Sequence, residues 1–176
     1  LINLDKKIEN NEKKNFFNFI KRRTKNEPIA YITGYKEFWK SSFKVNKNVL
    51  IPRPDTETMI EQVLKELDIN SSKKILDIGT GSGCIIISIL NERKKCLGVG
   101  LDISKKAVKL AKYNAKIQHI DNRIKFLNSD IDNFCRDKYD LIISNPPYIK
   151  QLEINDLDKD IKNHEPKVAL DGGIDG

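Results

Sequence analysis

Apolar positions in the first fifty residues come in short clusters separated by charge. Residues 1–25 are charged and asparagine-rich, with Phe16, Phe17, Phe19 and Ile20 as a modest apolar patch, which predicts the end of a helical region. Glu27-Pro28-Ile29-Ala30-Tyr31-Ile32-Thr33-Gly34 sets turn signals on both sides of a short apolar core. Glu37-Phe38-Trp39 and Phe43-Lys44-Val45 flank Lys40-Ser41-Ser42 and predict a hairpin. Pro52 and Pro54 then enforce extended backbone at Ile51 and Arg53. A helix follows, with Asp55 and Thr56 as cap chemistry and Met59, Ile60, Val63, Leu64 and Leu67 on one face.

Beyond the polar break Asn70-Ser71-Ser72-Lys73-Lys74 the pattern alternates between strand and helix. Ile75–Ile78 reads as a strand, Gly79–Gly83 as a turn, and Cys84 to about Arg93 as a helix. Leu97–Leu101 is a second strand ending at Asp102, and Ser104 caps a helix whose face is Ala107, Val108, Ala111 and Ala115. Ile124–Leu127 is a third strand ending near Asp130, and Tyr139–Ser144 a fourth, short and buried. Such βα repeats predict an α/β fold with a parallel, doubly wound sheet. After Tyr148 the pattern weakens. Ile149–Lys162 predicts a short amphipathic helix or a flap, and Glu165–Gly173 an extended segment entering a turn.

Composition narrows this picture in a few places. The 176 residues are 39% hydrophobic, enough for a core. The net charge of +7 invites a nucleic-acid partner, but the lysines are scattered and no stripe alternates basic with aromatic residues. Biased base composition accounts for the charge more simply, and a basic face that helps dock an RNA-bound partner stays open. Cys84, Cys96 and Cys135 are odd in number and lack Cys-x-x-Cys spacing, which fits a reducing compartment and no metal site. Cys84, at a helix start, reads as a small packed residue. The apolar run from Cys84 to Leu90 is too short to span a bilayer. A cytoplasmic location is expected, with an organelle left open because the chain starts at Leu1 without methionine. That start, and an end in a Gly-rich run at Gly176, read as a fragment.

The chemistry concentrates at the predicted strand ends. Asn145-Pro146-Pro147-Tyr148 follows the fourth strand, and its prolines can donate no backbone hydrogen bond. A stiff turn remains, offering one amide side chain, bare carbonyls and one ring at the sheet edge where α/β folds bind ligands. It suits a planar amide or amine nitrogen. Gly79, Gly81 and Gly83 have G-x-G-x-G spacing, which departs from the dinucleotide fingerprint and is weak evidence alone. Asp102 adds a carboxylate able to accept from both ribose hydroxyls of an adenosine, Asp130 an acceptor for its amino group, and Ile131 an apolar wall. Structural roles compete: a helix cap for Asp102, a solvated turn for Asp130. Arg53 and Glu57 either face the site or are solvated charges of a capped helix. His119 and His164 read as surface residues.

This combination resembles the S-adenosylmethionine-dependent methyltransferases of the Rossmann-like class, whose cofactor motif Asp77-Ile-Gly-Thr-Gly-Ser-Gly83 matches. Glu27-Pro-Ile-Ala-Tyr-Ile-Thr-Gly34, Leu50-Ile-Pro-Arg-Pro-Asp-Thr-Glu57 and Glu165-Pro-Lys-Val-Ala-Leu-Asp-Gly-Gly-Ile-Asp-Gly176 narrow it to a resemblance to the bacterial-type peptide chain release factor N5-glutamine methyltransferases, over about residues 20–176. The resemblance implies a remnant of an N-terminal helical domain (1–26), a hairpin linker (27–54) and a Rossmann-like domain lacking its last strands (55–176). It implies S-adenosylmethionine at Asp77, Gly79, Thr80, Gly81, Ser82, Gly83, Asp102, Asp130, Ile131 and Asn145. The substrate would be the glutamine of a release factor's Gly-Gly-Gln motif, held by Arg53, Asn145, Pro146, Pro147 and Tyr148. Asn145, Pro146 and Tyr148 would carry the transfer, in a monomer without a direct nucleic-acid substrate. Two alternatives stay open, an adenine N6-type methyltransferase of DNA or RNA and an inactive cofactor-fold binding module.

Overall fold

The computed structural model describes Lys7, residues 9–134 and residues 137–176; Cys135 lies outside them. The amino-terminal segment is held by polar contacts rather than by a core of its own. Helix α1 (Asn10–Arg23) buries no residue, and its four apolar side chains stay exposed. In its last turn Arg22 pairs at two points with Glu27 and donates to the carbonyls of Tyr31 and Ile32. That ties α1 to α2 (Ile29–Thr33), which a left-handed Gly34 (φ 82) terminates.

Strands β1 (Tyr35–Phe38) and β2 (Ser41–Lys44) form the antiparallel hairpin, with Phe38 opposite Ser41. Its turn is Trp39-Lys40, not the expected Lys40-Ser41-Ser42. Trp39 leaves the strand at φ 53, because its N–H binds Glu57 Oε1 (2.8 Å) and its ring Nε1 binds Glu92 Oε1 (2.9 Å). A three-residue turn Pro54–Thr56 leads into α3 (Glu57–Glu66). Neither Asp55 nor Thr56 caps α3 through its side chain, contrary to expectation. Thr56 already has helical backbone (φ −69, ψ −17), so its hydroxyl is not placed for the cap bond. The other end of α3 is capped by Arg93, which donates to the carbonyls of Leu64 and Leu67.

The sheet comprises β3 (Lys74–Ile78), β4 (Leu97–Asp102), β5 (Ile124–Asn128) and β6 (Leu141–Ser144), all parallel, in the order β5-β4-β3-β6. Helices α4 (Cys84–Glu92) and α5 (Lys105–Ile117) join β3 to β4 and β4 to β5. Residues Cys84 to Leu90 are all buried, since α4 lies between the sheet, α3 and α5, so all of them but Ser88 are apolar. Fully buried Asn114 of α5 exchanges two bonds with the Lys44 backbone and donates to the Ser82 carbonyl, tying hairpin, helix and glycine turn together.

The fourth strand is shorter and less buried than expected. Tyr139 and Asp140 lie outside β6, and Ile142 is 59% exposed, because among the described residues β6 has a strand partner only in β3. Beyond it, Ile149 forms a parallel bridge with Asp171. The segment between includes α6 (Lys159–His164). The expected extended segment at Glu165–Gly173 is instead bent at Lys167–Ala169, where the Ala169 N–H reaches Pro166 and those of Leu170 and Asp171 reach Lys167. This bend folds residues 165–171 back over the carboxyl edge of the sheet.

Candidate active site

From β3 the chain steps outward to β4 and β5, then returns to place β6 on the other side of β3. The crevice outside the carboxyl ends of β3 and β6 is therefore a topological switch point, where open α/β sheets bind ligands. The glycine turn leaves β3 there and Asn145 leaves β6. The Ser144 hydroxyl donates to the Ile78 carbonyl (3.0 Å), fixing one exit against the other.

In the turn, Gly79 and Gly81 take φ values of 72 and 56, which side chains with a Cβ rarely adopt. Thr80 anchors it twice, through its N–H to the Leu101 carbonyl (2.8 Å) and its hydroxyl to Asp77 Oδ2 (2.6 Å). Asp102 Oδ2 accepts from the Gly81 N–H (2.9 Å) and Oδ1 from the Ser104 N–H (2.8 Å). Ser104 caps α5 with its own hydroxyl, at Ala107 (3.2 Å). Asp102 is thereby held rigidly with a lone pair spare on each oxygen, as two adjacent hydroxyls require.

Two cavities open along this edge, of about 230 and 340 Å³. The first gathers Gly79, Thr80, Gly81, Ser82, Asp102, Asp130, Ile131, Pro147, Arg53 and Asn145. The second holds Pro146 and Tyr148 together with Arg53 and Asn145. Asp130 is exposed, and its carboxylate accepts from the Asp132 N–H (3.3 Å). Tyr148 is 71% exposed. The Asn145 side-chain nitrogen points to the Thr56 hydroxyl at 3.5 Å. Its Oδ1, and the Pro146 carbonyl, accept no hydrogen bond among the described residues.

Asp77 and Gly83 line neither cavity. Gly83 packs inward against Ile87, Ala111 and Phe126. Asp77 is 1% exposed beneath the turn, with no hydrogen-bond partner for Oδ1 among the described residues. Burial pushes its carboxyl up to about 7, against the Thr80 hydrogen bond and with help from the Asp102 charge. A methyl donor carrying ribose hydroxyls and positive charge fits these residues. Asp102 has the spare lone pairs for the hydroxyls, one on each oxygen. Cys84 behaves as a packed residue, its thiol pushed by burial up to about 12. His119 is exposed, but His164 is half-buried with Nε2 at 3.1 Å from the Lys25 carbonyl.

Several wall residues escaped the sequence reading as site residues. Leu50, Thr56 and Ala169 line both cavities, and Pro166 and Val168 close the first. Glu165 is the other omission: its carboxylate, 1% exposed, takes Arg53 Nη2 at 2.5 Å and the Ile51 N–H at 3.2 Å. The Pro-Arg-Pro and Glu-Pro segments were each conspicuous, but nothing in their spacing says that they meet.

Comparison with known proteins places this geometry. Residues 54–168 match the family model described as the methyltransferase small domain, and residues 1–34 the model described as the PrmC N-terminal domain. The chain is 42% identical over 159 residues to a release factor glutamine methyltransferase of Caulobacter vibrioides, covering 90% of this chain and 55% of that protein. It is 41% identical over 179 residues to one of Clostridium acetobutylicum, covering 100% of this chain and 63% of that protein. The chain thus spans somewhat more than half the length of these relatives. A Pyrococcus horikoshii structure, provisionally described as an RNA methyltransferase, superposes with a TM-score of 0.50 at 22% identity, covering 57% of this chain and 47% of that one. That likeness concerns the fold. Among the described residues no helix is long and apolar enough to cross a membrane.

Proposed function

The chain belongs to the methyltransferase small domain family, and from that premise we propose that it methylates the side-chain amide nitrogen of a glutamine, in the Gly-Gly-Gln motif of a peptide chain release factor. The observation that carries this reading is the placement of Asn145 on the wall of both cavities, with its carbonyl oxygen free. S-adenosylmethionine, bound in the first cavity, supplies a methyl group on a cationic sulfur. Asp102 would take the two ribose hydroxyls, Asp130 and Ile131 would meet the adenine, and the Gly79–Gly83 turn over Asp77 would hold the remainder.

An amide nitrogen is a poor nucleophile because its lone pair is delocalised into the carbonyl. Asn145 Oδ1 and the Pro146 carbonyl each accept one N–H of the substrate amide. This aims the lone pair at the first cavity and stabilises the positive charge that grows on nitrogen. Tyr148 packs on the amide plane, and Arg53 and Pro147 complete the pocket. The departing proton needs no strong base, because the nitrogen becomes acidic as its new bond forms. The reading includes a monomer acting in the cytoplasm, with residues 1–26, 27–54 and 55–176 as helical, linker and catalytic parts. The names of the Caulobacter and Clostridium relatives support the release factor as substrate.

Asn145→Ala in the full-length protein tests this. Cofactor binding should stay within a few-fold, while methyl transfer to a Gly-Gly-Gln release factor falls by ~10²–10³. Unchanged turnover removes the acceptor model, and transfer to DNA or RNA instead of the release factor removes the substrate assignment.

A further inference from the structure

A carboxylate withdrawn from water is costly unless its partners compensate, and Glu165 has two. The Glu165 side chain is 1% exposed and pairs with Arg53 at 2.5 Å, while its second oxygen takes the Ile51 N–H at 3.2 Å. Both partners belong to the strap of residues 49–53, four of which line the first cavity. The strap is also held from the other side, where the Tyr31 hydroxyl donates to the Val49 carbonyl at 2.6 Å. Pro52 and Pro54 fix backbone on either side of Arg53. What remains free is the Arg53 side chain, which is 35% exposed and lines both cavities beside Asn145. One Nη2 bond to Glu165 orients the planar guanidinium and leaves its other N–H groups without a protein partner among the described residues.

We propose that Glu165 is a positioning residue, which acts through Arg53 to shape the acceptor pocket. The proposal rests on the amide-methylation reading above. Glu165 touches neither cavity itself. Its influence passes through the guanidinium of Arg53, which lines both cavities together with Asn145 and whose remaining donors suit the carbonyl oxygen of the same amide. Glutamine at 165 keeps the size and an oxygen for the Ile51 N–H but loses the charge that orients Arg53.

The test is a double-mutant cycle of Glu165→Gln, Arg53→Ala and the two combined, in the full-length protein. It follows kcat and KM for release factor, cofactor affinity and the thermal midpoint. Glu165→Gln should raise the acceptor KM by about 10-fold and Arg53→Ala by up to ~10²-fold, as weakening or loss of a hydrogen bond from a charged donor does. The combined variant should be no worse than Arg53→Ala, because Glu165 has nothing further to position. Effects that multiply, or a lowered midpoint with unchanged KM, overturn the proposal while leaving the functional reading intact. A wild-type protein that transfers no methyl group to release factor overturns that reading and this proposal with it.

Discussion

Replacing Asp77 with asparagine removes an ionisation that the fold resists. Asp77 is 1% exposed, and burial pushes its carboxyl from an ordinary 3.8 up to about 7. Between those values the folded protein retains a proton that the unfolded chain has released. Stability therefore falls as pH rises through this window and levels off above it. Roughly three pH units at about 1.4 kcal/mol each set the scale, on the order of 4 kcal/mol. Asparagine keeps the shape and an oxygen for the Thr80 hydroxyl. It also puts an amide NH₂ where Oδ1 has no partner, at a pH-independent cost of ~1–3 kcal/mol. Ligand-free Asp77→Asn should thus be the less stable protein near pH 4 and the more stable one near pH 8. Urea unfolding of both proteins across that range measures the gap. Parallel curves, or a gap that moves in the opposite sense, would refute the account of a protonated, desolvated carboxyl.

Two further substitutions separate cofactor binding from packing. Asp102→Ala should weaken S-adenosylmethionine binding by ~10²–10⁴-fold, since each of two hydrogen bonds to a charged group contributes ~1.5–3 kcal/mol; an unchanged calorimetric Kd would exclude Asp102 from the cofactor site. Gly100→Ala should lower stability by ~1–3 kcal/mol, because its Cβ would lie 2.6 Å from Phe126 Cδ1 and 2.9 Å from the Thr80 hydroxyl. A thermal midpoint within a degree of wild type would mean that Phe126 yields more easily than its buried position implies.

Much of the sheet was legible because its units are local. Strands β3, β4 and β5 and helices α4 and α5 each announce themselves within a dozen residues by period and punctuation, and the Ser104 cap is a local bond. What was misread depends on distant partners. Trp39 leaves its strand for Glu57 and Glu92, eighteen and fifty-three positions away. Tyr139–Ser144 is apolar enough for a central strand, yet the described residues give β6 a neighbour on only one side. The site divides in the same way. The glycine turn with Asp102, and the Asn145 turn, are local patterns and were visible. The Arg53–Glu165 pair joins segments 112 positions apart, and no periodicity or spacing encodes such a meeting.

The shared wall of the two cavities sets what an acceptor must present where donor and acceptor meet. A methyl donor in one cavity and an acceptor in the other must meet at residues common to both. These are Leu50, Arg53, Thr56, Asn145 and Ala169. Leu50 and Ala169 bring no polar side chain. Arg53 only donates, and the Thr56 hydroxyl faces the Asn145 nitrogen. Asn145 Oδ1 is then the side-chain oxygen left to accept from an acceptor's N–H at the junction, and the Pro146 carbonyl lies beside it on the second cavity. Two neighbouring acceptors select a nitrogen with two hydrogens in one plane. The donor groups of Arg53 on the same wall favour an acceptor atom next to that nitrogen. A carboxamide presents such an acceptor in its oxygen, and an adenine amino group presents one in the ring nitrogen beside it. The junction therefore fits a planar nitrogen with an acceptor atom beside it, and labelled methyl transfer to release factor against DNA and RNA separates an amide from a base.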